Sequence, residues 1–201
     1  MIYIITHFEQ FTIDETERIL KMVLPMGIHF VQYRNKKEHS HHYSHYASRL
    51  QYLCNLHDVP LIINDNYQLA VTLNAQGVHV GQTDTSVDVL RKNYRYKGII
   101  GATAKDVQQA ILAERTGADY LGVGALFPSL TKSQASPLSL DELKEIRKST
   151  KLPIFAIGGL TPSRLSSEII DHIDGVCFSH SLWSAKDPKN IIKSFQSYFS
   201  T

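Results

Sequence analysis

An eightfold alternation of short apolar runs with helical segments constrains the fold of this chain more than any other feature. The apolar runs are mostly continuous and rich in β-branched and aromatic residues, as expected of parallel strands buried on both faces. A segment with apolar residues at helical spacing follows each run. The predicted strands are Ile2–Thr6, His29–Arg34, Pro60–Asn64, Gly77–Gly81, Ile99–Ala104, Tyr120–Leu126, Pro153–Ile157 and Gly175–Ser179. The predicted helices are Thr12–Leu24, Tyr43–His57, Tyr67–Leu73, Ser86–Asn93, Val107–Thr116, Leu140–Ser149, Ser163–Ile170 and Pro188–Phe199.

Eight strand-helix units in one chain are most simply closed as an α/β fold of the (β/α)8 TIM-barrel type. An open doubly wound sheet is the alternative, but no GxGxxG follows the first strand, which removes the main reason for a dinucleotide fold. The length of 201 residues suits one domain. We therefore predict a single barrel domain over residues 1–201, with its chemistry at the carboxyl ends of the strands.

The composition excludes several classes of protein. With 43% hydrophobic and 20% charged residues, the chain is an ordinary globular protein. No apolar run approaches the roughly 18 residues that span a bilayer, and no secretory signal is visible, so we expect a cytoplasmic protein without a membrane partner. A net charge of +2 is too small for a nucleic-acid footprint. Cys54 and Cys177 form neither a disulfide framework nor a zinc motif. A homo-oligomer is compatible with all of these observations.

The second strand ends in polar residues that could hold an anion. A period of two places Gln32, Arg34 and Lys36 on one side of the chain. Arginine offers a planar fork of donors and lysine a point charge, a suitable pair for a diphosphate. The alternative interpretation is a solvated basic loop.

Two aspartates follow the third and fourth strands. The carboxyl ends of adjacent strands meet at one rim of a barrel, so Asp65 and Asp84 could share a Mg²⁺ ion. Such an ion takes a few carboxylates and fills its other positions with water and substrate phosphate. The alternative is that each aspartate caps the helix that follows it.

The last three strand ends point to a second anion site and a lid. The segment from Phe127 to Ser139 is long for a connection after a strand, which is typical of a functional lid. Gly158 and Gly159 follow the seventh strand, and Ser179 and His180 lie at the end of the eighth. In barrels these two loops commonly bind a monophosphate through backbone donors.

Taken together, these strand-end motifs resemble the thiamine phosphate synthase family, which belongs to a superfamily shared with TenI-like proteins. The resemblance covers almost the whole chain in the right order. Its motifs are Tyr3–Thr6, Gln32/Arg34/Lys36, Ile63-Asn64-Asp65, Gly77–Gln82 with Asp84, Gly117–Tyr120 leading to Phe127-Pro128, Thr131-Lys132 and Ala156–Gly159.

The resemblance implies an Mg²⁺-dependent transferase that joins hydroxymethylpyrimidine diphosphate to thiazole phosphate and releases pyrophosphate. It implies Asp65 and Asp84 as metal ligands, and Arg34, Lys36 and Lys132 as the catalytic cations that stabilise the leaving group. No side-chain general base is required, because the thiazole nitrogen is the nucleophile. The implied substrate-binding residues are Gln32, Arg34, Lys36, Asn64, Thr103, Ser129, Leu130, Thr131, Lys132, Gly158, Gly159, Ser179 and His180.

Three positions depart from the family pattern or bear on its alternatives. His7 stands where the family usually has an aspartate, and His180 where it has a serine. These departures suggest a non-catalytic regulator that binds thiamine phosphate. The other alternative is a TenI-like thiazole tautomerase, which typically has a histidine after the glycine of the sixth strand. Ala125 follows Gly124 here, and Asp84 is present, so we favour the synthase.

Overall fold

The strands form a closed, all-parallel barrel. The computed structural model describes residues 1–35, 42–128 and 137–199. Each strand pairs with the next, and the last pairs with the first, where Tyr3 lies opposite Cys177. The prediction of a (β/α)8 barrel is therefore confirmed. The strands are β1 (Ile2–Ile5), β2 (Phe30–Tyr33), β3 (Leu61–Asn64), β4 (Gly77–Val80), β5 (Ile99–Ala104), β6 (Tyr120–Val123), β7 (Ile154–Ile157) and β8 (Gly175–Phe178).

Helices surround the barrel and bury their apolar faces against the outside of the sheet. Short polar side chains begin several of them: Thr12 and Ser139 each form a capping box with the glutamate three residues later. The helices are α1 (Ile13–Val23), α2 (Tyr43–Asn55), α3 (Tyr67–Leu73), α4 (Val87–Lys92), α5 (Val107–Thr116), α6 (Leu140–Ser149), α7 (Ser167–Ile170), α8 (His180–Trp183) and α9 (Pro188–Gln196).

Three elements differ from the sequence-based expectation. The predicted helix over Ser163–Ile170 is a 3₁₀ turn over Pro162–Arg164 followed by the short α7. Helix α8 was not predicted. Strand β6 ends at Val123 and not at Leu126, because the chain turns at Gly124 and passes against the end of β7.

Large side chains fill the inside of the barrel. The rings of Tyr3, Phe30, Tyr120 and Phe155 contact one another with centroids 5.4–5.7 Å apart, mostly edge to face. Room for them comes from positions without a side chain: a Cβ added at Gly101 would lie 2.0 Å from the Tyr120 ring. The barrel is thus a packed core and not a channel.

We predict that Gly101→Ala lowers the free energy of unfolding by about 1–3 kcal/mol, because the added methyl group overpacks the interior against Tyr120. Gly122→Ala is the matched control, since its Cβ would meet only the His79 ring at 3.1 Å. Urea denaturation of both variants measures the difference. Equal stability of Gly101→Ala and wild type would contradict the packing described here.

Candidate active site at the carboxyl end of the barrel

The structure brings the described candidate residues to one end of the barrel. Each lies near the carboxyl end of its strand or in the segment that follows that strand, as predicted. The strands concerned are β2, β3, β4, β5, β7 and β8. The described candidates are Gln32, Arg34, Asn64, Asp65, Asp84, Thr103, Gly158, Gly159, Ser179 and His180. The candidates Lys36, Ser129, Leu130, Thr131 and Lys132 lie outside the described residues.

A chain of hydrogen bonds crosses the barrel interior beneath the rim. The buried Gln32 amide donates to the Tyr3 hydroxyl at 2.7 Å, and that hydroxyl pairs with the Tyr120 hydroxyl at 2.7 Å. Tyr120 in turn contacts His79 Nδ1 at 3.1 Å, and His79 Nε2 lies 3.0 Å from the Thr103 hydroxyl. Two predicted substrate-binding residues, Gln32 and Thr103, are therefore linked through three side chains inside the barrel.

The three linking residues were not singled out as functional by the sequence. The available signal was a polar or hydroxyl-bearing side chain at an inward position of a strand that is otherwise apolar, such as His79 in Gly-Val-His-Val. Burial raises the pKa of both the Tyr3 and the Tyr120 hydroxyl far above the ordinary range. Both phenols are therefore neutral hydrogen-bonding groups at physiological pH.

Arg34 is held at the rim by both its backbone and its side chain. The Thr6 hydroxyl accepts from the Arg34 N–H at 2.9 Å and donates to the Arg34 carbonyl at 3.0 Å. The guanidinium Nη1 donates to Glu9 Oε1 at 3.2 Å. Glu9 lies in the loop between β1 and α1, so the predicted diphosphate ligand already has an acidic neighbour.

The two histidines that depart from the family pattern lie together at this rim. The rings of His7 and His180 are 6.1 Å apart and nearly perpendicular. His7 is 5% exposed, its Nε2 lies 3.8 Å from Glu9 Oε2, and its Nδ1 has no hydrogen-bond partner in the described part of the chain. Burial is the main cause that lowers the pKa of His7; His180 and Arg34 lower it further, and Glu9 opposes them.

The aspartates after β3 and β4 do not cap helices. Asn66 caps α3 by accepting from the Leu69 N–H, and Ser86 caps α4. Asp65 has a left-handed backbone with φ +60°, and its carboxylate accepts from the Asn64 amide at 2.6 Å. Asp84 accepts from the Gly81 N–H at 2.7 Å. The capping alternative is therefore wrong for both residues.

The glycines after β7 pack against the segment that follows β6. Gly158 and Gly159 have φ values of +96° and +60°, and a Cβ at either position would come within 2.6 Å of Ala125 or Pro128. The Phe127 N–H donates to the Gly158 carbonyl at 3.1 Å. Within the described residues, neither glycine N–H donates to a backbone carbonyl. Both positions thus require glycine and retain a donor for a ligand.

The donor chemistry at β3 and β4 suits a hard cation. The carboxylates of Asp65 and Asp84 and the Asn64 amide supply oxygen ligands of the kind that Mg²⁺ prefers. Among the residues that the structure describes, no group of three or more His, Cys, Asp and Glu side chains could enclose a metal by itself. A cation here would complete its coordination with water and substrate oxygens, as Mg²⁺ commonly does.

The fold and this rim define a class of protein. A parallel (β/α)8 barrel with an arginine, an asparagine, two aspartates and a glycine turn at its carboxyl end has the features of a barrel enzyme for phosphorylated substrates. The chain belongs to the family described as thiamine monophosphate synthase, which it matches over residues 2–182.

Individual relatives agree with that assignment. The thiamine-phosphate synthase of Methanobrevibacter smithii is 36% identical over 191 residues, and the match covers 91% of each chain. That of Nitrosococcus oceani is 38% identical over 179 residues, covering 89% of this chain and 82% of the relative. The predicted family is thus confirmed, and both relatives are named for the predicted activity.

Solved structures show the same architecture. The thiamine phosphate pyrophosphorylase from Pyrococcus furiosus superposes with a TM-score of 0.85 at 26% identity, covering 98% of this chain and 94% of that chain. The 3-hexulose-6-phosphate synthase from Salmonella typhimurium reaches a TM-score of 0.75 at 16% identity, with 98% of both chains covered. The second likeness shows the shared fold alone.

We predict that His7 makes stability depend on pH. Unfolded histidine has the ordinary pKa of 6.5, whereas the pKa of folded His7 is lower, so the unfolded state binds the proton first as pH falls. The free energy of unfolding should therefore decrease as pH falls through 6.5, and this decrease should end below the pKa of folded His7. Denaturation of His7→Gln between pH 8 and 5 should show a smaller decrease than wild type.

His57→Gln is the control for that measurement, because His57 lies near the end of α2 and away from the rim. His29, whose pKa burial also lowers, contributes equally in all three proteins. Parallel stability profiles of His7→Gln and wild type would refute the prediction.

Proposed function

We propose that this chain is a thiamine-phosphate synthase that joins hydroxymethylpyrimidine diphosphate to thiazole phosphate and releases pyrophosphate. The observation that carries the proposal is the convergence of Arg34, Asn64, Asp65, Asp84 and the Gly158-Gly159 turn at one rim, in a chain that belongs to the thiamine monophosphate synthase family. This set offers one region for a diphosphate with a cation and another for a monophosphate. The cytoplasmic location and a homo-oligomeric state stay predictions.

The diphosphate region lies over β2 to β5 in this proposal. Arg34 offers guanidinium donors to the phosphates, with Lys36 and Lys132 as further cations. Asn64 and Thr103 supply amide and hydroxyl groups on the neighbouring strands. Gln32 reaches into the interior beside Tyr3, where it would contact the pyrimidine ring.

Asp65 and Asp84 would hold Mg²⁺ next to the diphosphate. When bound, the ion neutralises charge on the pyrophosphate as it departs. The two aspartates fit this role because neither carboxylate caps a helix and each lies on the rim, half-exposed. The Asn64 amide, which donates to Asp65, fixes the orientation of that carboxylate.

The monophosphate region lies at β7 and β8. Gly158 and Gly159 would donate backbone N–H groups to the thiazole phosphate, while Ser179 and His180 flank it from β8. Ser129, Leu130 and Thr131, which follow β6 in the sequence, would supply further contacts to the same phosphate.

The reaction then needs positioning and electrostatics more than proton transfer. Breaking the bond between the pyrimidine methylene carbon and the diphosphate oxygen leaves a cationic methylene group, and the thiazole nitrogen attacks that carbon. Arg34, Lys36 and Lys132 stabilise the negative charge that grows on the leaving group. The hydroxyls of Tyr3 and Tyr120, which are hydrogen-bonded to each other beneath the rim, stay un-ionised and add no charge to the site.

One assay tests the proposal against its alternatives. Purified protein with both substrates and Mg²⁺ should release pyrophosphate and form thiamine phosphate in equal amounts. Isomerisation of the thiazole without pyrophosphate release would identify a tautomerase. Binding of thiamine phosphate with neither reaction would identify a regulator, and either result would overturn the synthase.

We predict that Asp84→Ala lowers synthase activity by about 10²-fold or more at limiting Mg²⁺ while the barrel stays folded, because one of two proposed metal carboxylates is lost. Asp88→Asn is the matched control: Asp88 is a nearby surface carboxylate on α4 that pairs with Lys92 at 2.8 Å. Circular dichroism checks the fold. Full activity of Asp84→Ala across an Mg²⁺ titration would remove Asp84 from the metal site.

A further inference from the structure

A carboxylate that the family pattern did not point to lies between two rim residues. Glu9 Oε1 accepts from Arg34 Nη1 at 3.2 Å, and Glu9 Oε2 lies 3.8 Å from His7 Nε2. The two oxygens of one side chain therefore face two different groups. One of these groups, Arg34, is the proposed diphosphate ligand.

Both neighbours of Glu9 are fixed by the barrel. The Thr6 hydroxyl bonds to the Arg34 N–H and carbonyl, and the Thr6 N–H donates to the Gln32 carbonyl, so β1 and β2 define where Arg34 leaves the sheet. His7 is buried, and its carbonyl accepts from the N–H groups of Gln10 and Phe11, which closes the turn that carries Glu9. The carboxylate is thus anchored through the start of the β1–α1 loop.

The contact leaves Arg34 able to bind an anion. A guanidinium has five N–H donors, and the described contact with Glu9 engages Nη1. A long, unanchored arginine would lose more side-chain freedom when it binds a phosphate. A single carboxylate contact limits that freedom beforehand without using the whole donor set.

We propose that Glu9 is a positioning residue that orients the Arg34 guanidinium toward the diphosphate of the substrate. The inference rests on the proposed function, in which Arg34 binds that diphosphate. Glu9 itself touches no substrate; it acts through Arg34. A metal site formed with His7 and His180 does not compete with this interpretation, because no such cluster exists among the described residues.

The test compares Glu9→Ala with a matched control. Glu17 makes a similar pair with Arg49 at 2.8 Å, but on the outside of the barrel between α1 and α2. Glu9→Ala should raise the KM for the pyrimidine diphosphate about fivefold, the upper range for a partly exposed ion pair, and leave the KM for thiazole phosphate unchanged. Glu17→Ala should change neither constant.

A second variant separates orientation from charge. Glu9→Gln removes the negative charge but keeps an oxygen that accepts from Arg34, so its KM should return to within about twofold of wild type. If Glu9 instead withholds Arg34 from the substrate, Glu9→Ala will lower the KM. That result, or an unchanged KM in Glu9→Ala, overturns the inference.

Calorimetric titration with inorganic pyrophosphate and Mg²⁺ keeps the inference separate from the proposed function. Weaker pyrophosphate binding by Glu9→Ala than by wild type supports the positioning role even if no thiamine phosphate is formed. Equal binding in the two proteins overturns it even if wild type is an active synthase. Thermal unfolding of each variant confirms that the compared proteins are folded.

Discussion

The packing of large aromatic rings against glycine positions inside the barrel is the constraint on which the rest of the structure depends. Tyr120 occupies the space that a side chain at Gly101 would take, and it contacts the rings of Tyr3 and Phe155. This arrangement buries two phenol hydroxyls that must be satisfied within the barrel. They bond to each other and, through His79, to the rim. Core packing and the interior beneath the rim are therefore one set of interactions, which ends at Gln32 and Thr103, two of the proposed substrate-binding residues.

The order and type of the strands could be predicted because parallel strands buried on both faces leave a strong local pattern. The two shortest helices, α7 and α8, could not be predicted with their bounds. Helix α8 has four residues, and its Trp183 indole donates to the Ile5 carbonyl, a contact between residues 178 positions apart. Tertiary contacts of that kind stabilise a short helix whose own sequence gives little sign of it. The predicted helix over Ser163–Ile170 was too long, since the chain forms a 3₁₀ turn over Pro162–Arg164 and α7 begins only at Ser167.

The candidate site likewise combines features that the sequence predicts with features that only the structure shows. Asp65 and Asp84 were placed correctly at the rim because the carboxyl ends of neighbouring strands converge in any barrel of this type. Only the structure shows that neither aspartate caps a helix. In the sequence, Asn66 and Ser86 are equally good N-cap candidates for α3 and α4. The contact of Glu9 with Arg34 depends on how the β1 loop lies over β2. The pairing of His7 with His180 depends on closure of the barrel, which no local pattern records.

Closure between β1 and β8 also bears on how the chain can fold while it is being synthesised. The backbone partner of Tyr3 is Cys177, so β1 leaves the ribosome well before the strand that closes the barrel against it. Until then the nascent sheet has two open edges of apolar strands, a state prone to pairing with other chains. Synthesis at 5–20 residues per second makes that interval on the order of ten seconds. Slow translation of the segment between β7 and β8 would prolong this exposure, and a chaperone that covers strand edges would reduce pairing with other chains.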